Sequence, residues 1–232
     1  TFSVAGNSAC NVDASTGVVT VNRPFGTCSV GATIGDGAIY NTATAASETL
    51  SILTPANETD TALTFTTAKY AWAPDSNELD VTSAITMQAW VYQTSTIAGA
   101  WNMVVNKENS YELGTFGSLW YFALRGSGGW YGVNTGIATR LNEWQHVALT
   151  RASGAETATF YVNGQEVWSG TADGAGAGDL TNSNLPITIG GRSSNGVNFT
   201  SPFLGSIDEV KVFRSARTQS EIAADMHTYG PI

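Results

Sequence analysis

From residue 62 onward the chain is a succession of short segments in which apolar and polar residues alternate. Segments 62–65, 84–92, 103–106, 111–114, 119–124, 130–133, 144–151, 157–162, 165–169, 187–190 and 204–213 show this pattern. Period two places successive side chains on opposite faces, as in a strand buried on one side. About a dozen such strands with no intervening helix predict an all-β fold of two packed antiparallel sheets. Asn163-Gly164 lies between two alternating runs and predicts a type I′ hairpin turn. One helix is predicted, at the C-terminal end: Thr218 caps it, Glu221 completes a capping box, and Ile222 and Met226 lie on one face.

Residues 1–53 read differently. Short strands at 2–4, 18–21, 28–32 and 49–52 alternate with Gly, Asn and Asp turns. Residues 54–59, a proline followed by polar residues, predict a linker, and a main domain then spans 60–232. A β segment as short as 1–53 buries too little surface to be stable alone, so it is expected to pack on the main domain or to fray.

Four motifs occur in order: Asn142-Glu-Trp-Gln-His-Val-Ala-Leu149, Phe160-Tyr-Val-Asn-Gly-Gln-Glu-Val167, Pro186-Ile-Thr-Ile-Gly-Gly191 and Gly205-Ser-Ile-Asp-Glu-Val-Lys-Val212. Together with the helix Arg217-Thr-Gln-Ser-Glu-Ile-Ala223, they resemble the laminin-G-like domains of the concanavalin A-like jelly-roll superfamily over residues 60–228. The resemblance implies a jelly-roll sandwich that works as a binding module. Gly26-Thr-Cys28, Ala32, Asp36-Gly37 and Tyr40-Asn41 resemble the second half of a bacterial immunoglobulin-like adhesin repeat. The pair of resemblances implies a glycan- or glycoprotein-binding module of a secreted or cell-surface adhesin, with neighbouring domains in a larger protein. Two alternatives stay open: a structural spacer, and a binding module appended to a polysaccharide-degrading enzyme.

Charge narrows the partners. The formal net charge is −9, only 12% of residues are charged, and the pI is near 4.5. Such a chain repels phosphate backbones, which argues against nucleic acid. No apolar run approaches the ~20 residues that cross a bilayer, so no membrane insertion is expected. Acidic composition is compatible with Ca²⁺, which takes carboxylate and carbonyl oxygens.

The two cysteines, Cys10 and Cys28, flank one predicted strand. They are expected to bridge, closing a loop that contributes ~3 kcal/mol; the alternative is two separately buried thiols. A bridge implies an extracellular or cell-surface location.

The resemblance also implies a calcium site, since superfamily members often hold Ca²⁺ with a carboxylate from the last strand. Asp208 occupies that strand, and Asp60, with Asn57 or Glu58 as alternates, is the candidate near the domain start. Asp173-Gly-Ala-Gly-Ala-Gly-Asp179 reads as a flexible loop. For sugar recognition, flat aromatic faces and polar side chains concentrate at 101–134. Trp101, Asn102, Tyr121, Arg125, Trp130 and Tyr131 are the candidates, Trp101 and Trp130 because they sit beside glycines in loop-like segments. Tyr121, Ala123 and Arg125 share one strand face that reads as a wet concave surface. Packing is the competing role for all these aromatics.

Catalysis is not expected. The Glu-x-Asp-x-x-Glu pattern of related hydrolases is absent. Glu108 and Glu112 share a strand face only if no turn intervenes. His146 reads as a structural strand residue, and Arg192-Ser-Ser-Asn195 as an ordinary loop without a nucleophile elbow.

Overall fold

The computed structural model describes residues 2–4, 10–16, 19–21, 26–32, 46–52, 62–67, 69–171, 179–195 and 197–228. The chain forms two compact units, residues 1–60 and 61–226.

In the first unit, β1 (Phe2–Val4), β2 (Cys10–Val12), β3 (Val19–Val21), β4 (Gly26–Ala32) and β5 (Ala46–Ile52) make two small sheets. One is three-stranded in the order β1-β4-β5, and the other is the β2-β3 hairpin. Cys10 opens β2 and is buried, and Cys28 lies in β4, its side chain outside the described residues. The predicted bridge, the motif residues 36–41, the linker 54–59 and Asp60 likewise lie outside them.

In the second unit the strands are β6 (Leu63–Phe65), β7 (Ala71–Ala73), β8 (Ile85–Gln93), β9 (Trp101–Lys107), β10 (Tyr111–Phe116), β11 (Leu119–Gly126) and β12 (Gly129–Ala138). They continue with β13 (Trp144–Arg151), β14 (Thr157–Val162), β15 (Gln165–Thr171), β16 (Ile187–Ile189) and β17 (Gly205–Phe213), and the chain then enters helix α1 (Gln219–Thr228). Two six-stranded sheets result, ordered β12-β11-β10-β9-β16-β7 and β15-β14-β13-β8-β17-β6. All pairings within them are antiparallel. This is the all-β, two-sheet sandwich that the alternation predicts.

The core lies between the sheets. Ile85, Met87, Ala89 and Val91 of β8 and Val147 and Leu149 of β13 meet Leu113, Trp120, Phe122 and Leu124 from the opposite sheet. Phe122 and Phe160 stack with ring centroids 6.5 Å apart. Lys107 breaks the apolar pattern: it is fully buried, where it donates to Asp75 and to the Leu185 carbonyl. It thereby ties two loops to the end of β9.

On the outer face of the second sheet, α1 packs over β8, β13 and β14. The helix places Ile222 against Ala148 and Tyr161. Gln88 Nε2 donates to Asp225 Oδ2 at 2.9 Å, and the Trp90 indole donates to the Met226 carbonyl at 3.4 Å. The capping box forms as predicted, with the Thr218 N–H donating to Glu221 Oε2 and the Glu221 N–H to Thr218 Oγ1. Asn163 and Gly164 both take positive φ, 51° and 73°, as a type I′ turn requires. His146 is buried, its ring edge-on to Trp90 at 5.4 Å.

Candidate functional site

The chain has seven tryptophans. Trp90 and Trp120 are buried and Trp144 and Trp168 half-buried. The exposed ones are Trp72, Trp101 and Trp130, at 53%, 38% and 37%. All three project from the outer face of the sheet that contains β7, β9 and β12.

Strand register defines that face. One row crosses all six strands: Trp72, Thr188, Asn106, Glu112, Ala123 and Gly132. The next row holds Met103, Gly114, Tyr121 and Asn134, and beyond it Trp101 pairs with Phe116. On the other side of the long row, Arg125 pairs with Trp130. From the Trp101 end to the Arg125–Trp130 end is about 20 Å, taking ~3.4 Å per residue along β11.

The long row carries an ion network at its centre. Thr188 is fully buried and hydrogen-bonded to Asn106 and to the Gly191 carbonyl, which fixes the start of the loop 190–204. Arg192 and Thr200 pair across the base of this loop. Arg192 then reaches back over the sheet. Its Nη2 meets Glu112 Oε1 at 2.6 Å and its Nε meets Oε2 at 3.0 Å, a two-pronged grip. Asn106 Nδ2 donates to the same carboxylate at 3.0 Å. Glu108 Oε2 lies 3.9 Å from the guanidinium, which itself sits 5.0 Å from the Trp101 ring centroid. Glu108 and Glu112 thus converge although the turn after β9 separates them. Burial pushes the Glu112 carboxyl above its usual range, while Arg192 and Asn106 pull it back.

Tyr121 lies beside this network, 6.2 Å from Trp101 in an edge-on arrangement. Its ring covers Gly132, where a Cβ would come within 2.4 Å of the Tyr121 hydroxyl. Glycine is therefore required for the tyrosine to lie flat across β12. Burial, reinforced by the charge of Glu112, pushes the hydroxyl up to about 12.

Of the sequence candidates, Trp101, Tyr121, Arg125 and Trp130 share this outer face, while Asn102 and Tyr131 lie on the opposite side of their strands. Asn102 is fully buried, its amide accepting from the Ile97 N–H and donating to the Ala100 carbonyl. It shapes the turn that presents Trp101. Tyr131 is half-buried against the core. Asp208 sits opposite Trp90 where β17 shifts register, with Glu209 at φ 49°. Its Oδ1 accepts the Glu209 N–H at 2.9 Å. Among the described residues no group of three or more His, Cys, Asp or Glu side chains converges on one point.

As parts of a binding face, Asn106 and Trp72 carry no sequence expectation, Glu112 is weighed only as a catalytic acid and Arg192 only as part of an ordinary loop. Trp72 carries a usable signal, a large aromatic between two alanines on a short edge strand. Arg192 carries none, because its partners lie far away along the chain.

The face as a whole offers separated flat aromatic surfaces with polar groups between them. Glu112 has both oxygens engaged, so it is held as a counter-ion.

No curated protein matches the chain. Solved structures with the same fold include a protein from Bacteroides ovatus to which carbohydrate binding is ascribed. It aligns with TM-score 0.57 and 19% identity over 85% of this chain and 54% of that one. The binding domain of Paraclostridial mosquitocidal protein 1 aligns with TM-score 0.54 and 13% identity, over 71% of this chain and 46% of that one. The Ruminococcus gnavus IT-sialidase CBM40, bound to α2,3-sialyllactose, aligns with TM-score 0.52 and 19% identity over 71% and 96%. The chain thus spans about half the length of the first two, and at these identities all three show the fold alone. A family model described as the concanavalin A-like lectin/glucanases superfamily (Laminin_G_3) matches residues 65–223, more than half of the chain, and the protein belongs to that superfamily.

Proposed function

We propose that the tryptophan-bearing face binds a glycan or glycoprotein, without catalysis, as a module of a secreted or cell-surface protein. One observation carries this reading. Every exposed tryptophan stands on the outer face of one sheet, while on the other sheet's outer face α1 packs over β8, β13 and β14. A solvent-facing indole stacks on a pyranose ring and costs little conformational entropy to order, so several on one face form a sugar-binding surface. The carbohydrate binding ascribed to the B. ovatus protein and the sialyllactose on the R. gnavus module support the same reading.

A glycan array tests it. The wild-type chain is expected to retain a defined set of glycans. Trp101→Ala, Trp72→Ala or Trp130→Ala should weaken retention at least about tenfold while the chain stays folded, and Trp72→Ala, at the most exposed of the three, should leave the melting temperature nearly unmoved. A wild-type chain that retains no glycan removes the reading.

Two further proposals concern the frame around the site. Asp208 contributes to a structural Ca²⁺ site, and a melt in excess Ca²⁺ is expected to lie above one in EDTA; coincident melts reject the ion. Cys10 and Cys28 form a disulfide, consistent with an extracellular location. A thiol assay on unfolded, unreduced protein is expected to find no reactive thiol, and two would reject the bridge.

A further inference from the structure

The glycan reading leaves open which sugar chemistry the Trp101 end of the face accepts, and the ion network there bears on it. We infer that this end takes an uncharged sugar and excludes carboxylate- or sulfate-bearing ones, with Glu112 as the residue that sets the exclusion. The inference rests on the glycan reading and makes it more specific.

An arginine beside an exposed tryptophan would ordinarily invite an acidic sugar, because the guanidinium fork matches a carboxylate. Here the Nε–Nη2 edge of the fork is already filled. Nε and Nη2 of Arg192 both hold Glu112, at 3.0 and 2.6 Å. The guanidinium carbon lies over the Trp101 ring, 5.0 Å from its centroid, and Glu108 lies 3.9 Å from Nε. An incoming anion meets Arg192 only at its Nη1 edge, next to two carboxylates, and to take the Nε–Nη2 edge it would have to draw Arg192 away from Glu112. That would leave a carboxylate only 2% exposed without its counter-ion and beside a second carboxylate.

Charge points the same way. Glu108, Glu112 and Arg192 bring two negative charges and one positive to this end when both acids are ionised. The chain as a whole carries −9. An acidic sugar would add a third negative charge beside the one guanidinium that already serves both carboxylates. The groups that remain suit hydroxyls: the half-buried Glu108 carboxylate accepts an O–H, and the Trp101 ring gives a stacking surface. Arg125 stands one row beyond Glu112, beside Trp130, on the side of the long row away from Trp101, so an anion it attracts lies at that end of the face.

The test is a glycan array of matched pairs, each neutral oligosaccharide beside its sialylated, uronic-acid or sulfated form. It is read with wild type, Glu112→Gln and Trp101→Ala. Wild type is expected to retain the neutral member of a pair at least tenfold more strongly than the acidic one. Glu112→Gln, which keeps the shape but removes the charge that occupies Arg192, should narrow that gap. Trp101→Ala should lose the neutral glycan. Equal or stronger retention of acidic members that disappears in Trp101→Ala overturns the inference and leaves the glycan reading standing. Retention of nothing by wild type overturns the glycan reading itself, and this inference with it.

Discussion

Gly205→Ala is expected to lower the melting temperature of the main unit by about 10 °C. Gly205 opens β17 and lies between β8 and β6, paired with Gln93 on one side and Phe65 on the other. Its φ is +143°, a conformation that L side chains rarely adopt. A Cβ placed there would lie 2.0 Å from the Tyr92 carbonyl oxygen and 3.0 Å from the Gln93 Cα. Both are backbone atoms of β8, so no flexible side-chain end can swing away. The Thr94 N–H also bonds the Leu204 carbonyl, which fixes the approach of the two strands. Backbone strain costs ~1–3 kcal/mol, and forced displacement of packed strands a further ~1–3 kcal/mol. In a unit of this size each kcal/mol moves the melt by ~2–4 °C. Gly136→Ala is the control. Gly136 also has positive φ, +74°, but nothing lies within 4 Å of its Cβ position. It should show only the smaller conformational cost. Thermal melts of the two variants separate the effects, and equal shifts would show that steric contact with β8 contributes nothing.

The same contrast between local and distant information explains what the sequence made legible. The strands of the main unit were visible because each buries one face and alternation records it. Even β8, whose outer residues Gln88 and Trp90 are also buried, kept its alternation because α1 covers it with polar as well as apolar contacts. The Asn163-Gly164 turn and the Thr218 capping box were visible because both partners lie within four residues. Within the candidate site, Trp101 and Trp130 were visible through their glycine neighbours. Asn102 and Tyr131 were adjacent in sequence to genuine face residues, but a strand sends neighbours to opposite sides. Trp101 and Asn102 therefore part ways, as do Trp130 and Tyr131. The Glu112–Arg192 pair spans 80 positions and joins a strand to a loop. Only the pairing of β16 with β9 brings those residues together, and no local pattern encodes that pairing. Glu108 and Glu112 show the converse. Their turn removes the simple strand-face relation, yet Arg192 gathers both from across the sheet.

Arg192→Ala is expected to destabilise the main unit by ~3 kcal/mol near pH 7.5 and by much less near pH 4. Glu112 has a side chain only 3% exposed, and Arg192 is its bidentate counter-ion at 24% exposure. Removing one partner of such a pair costs ~3–5 kcal/mol when the survivor stays charged, and the partial exposure of Arg192 favours the lower end. The sign of the pH effect follows from the direction of the Glu112 shift. Its carboxyl is already raised above the ordinary value of 4.5, burial being the main cause, with Arg192 opposing. A raised carboxyl contributes stability that is fully present below the unfolded value and is lost as pH rises through the folded value. Without Arg192 the opposing influence disappears, so the folded value rises further and the lost stability at neutral pH grows. As pH falls below 4.5 Glu112 becomes predominantly protonated in folded and unfolded chains alike, and mainly the hydrogen bonds and the contact with Trp101 are missing. Urea unfolding of Arg192→Ala and wild type at the two pH values measures the difference. The double variant Glu112→Gln with Arg192→Ala should recover a large part of the neutral-pH loss, because no buried charge is left behind. A penalty that is the same at both pH values, and that Glu112→Gln does not relieve, would mean that Arg192 acts through packing on Trp101 and that the pair adds no electrostatic coupling.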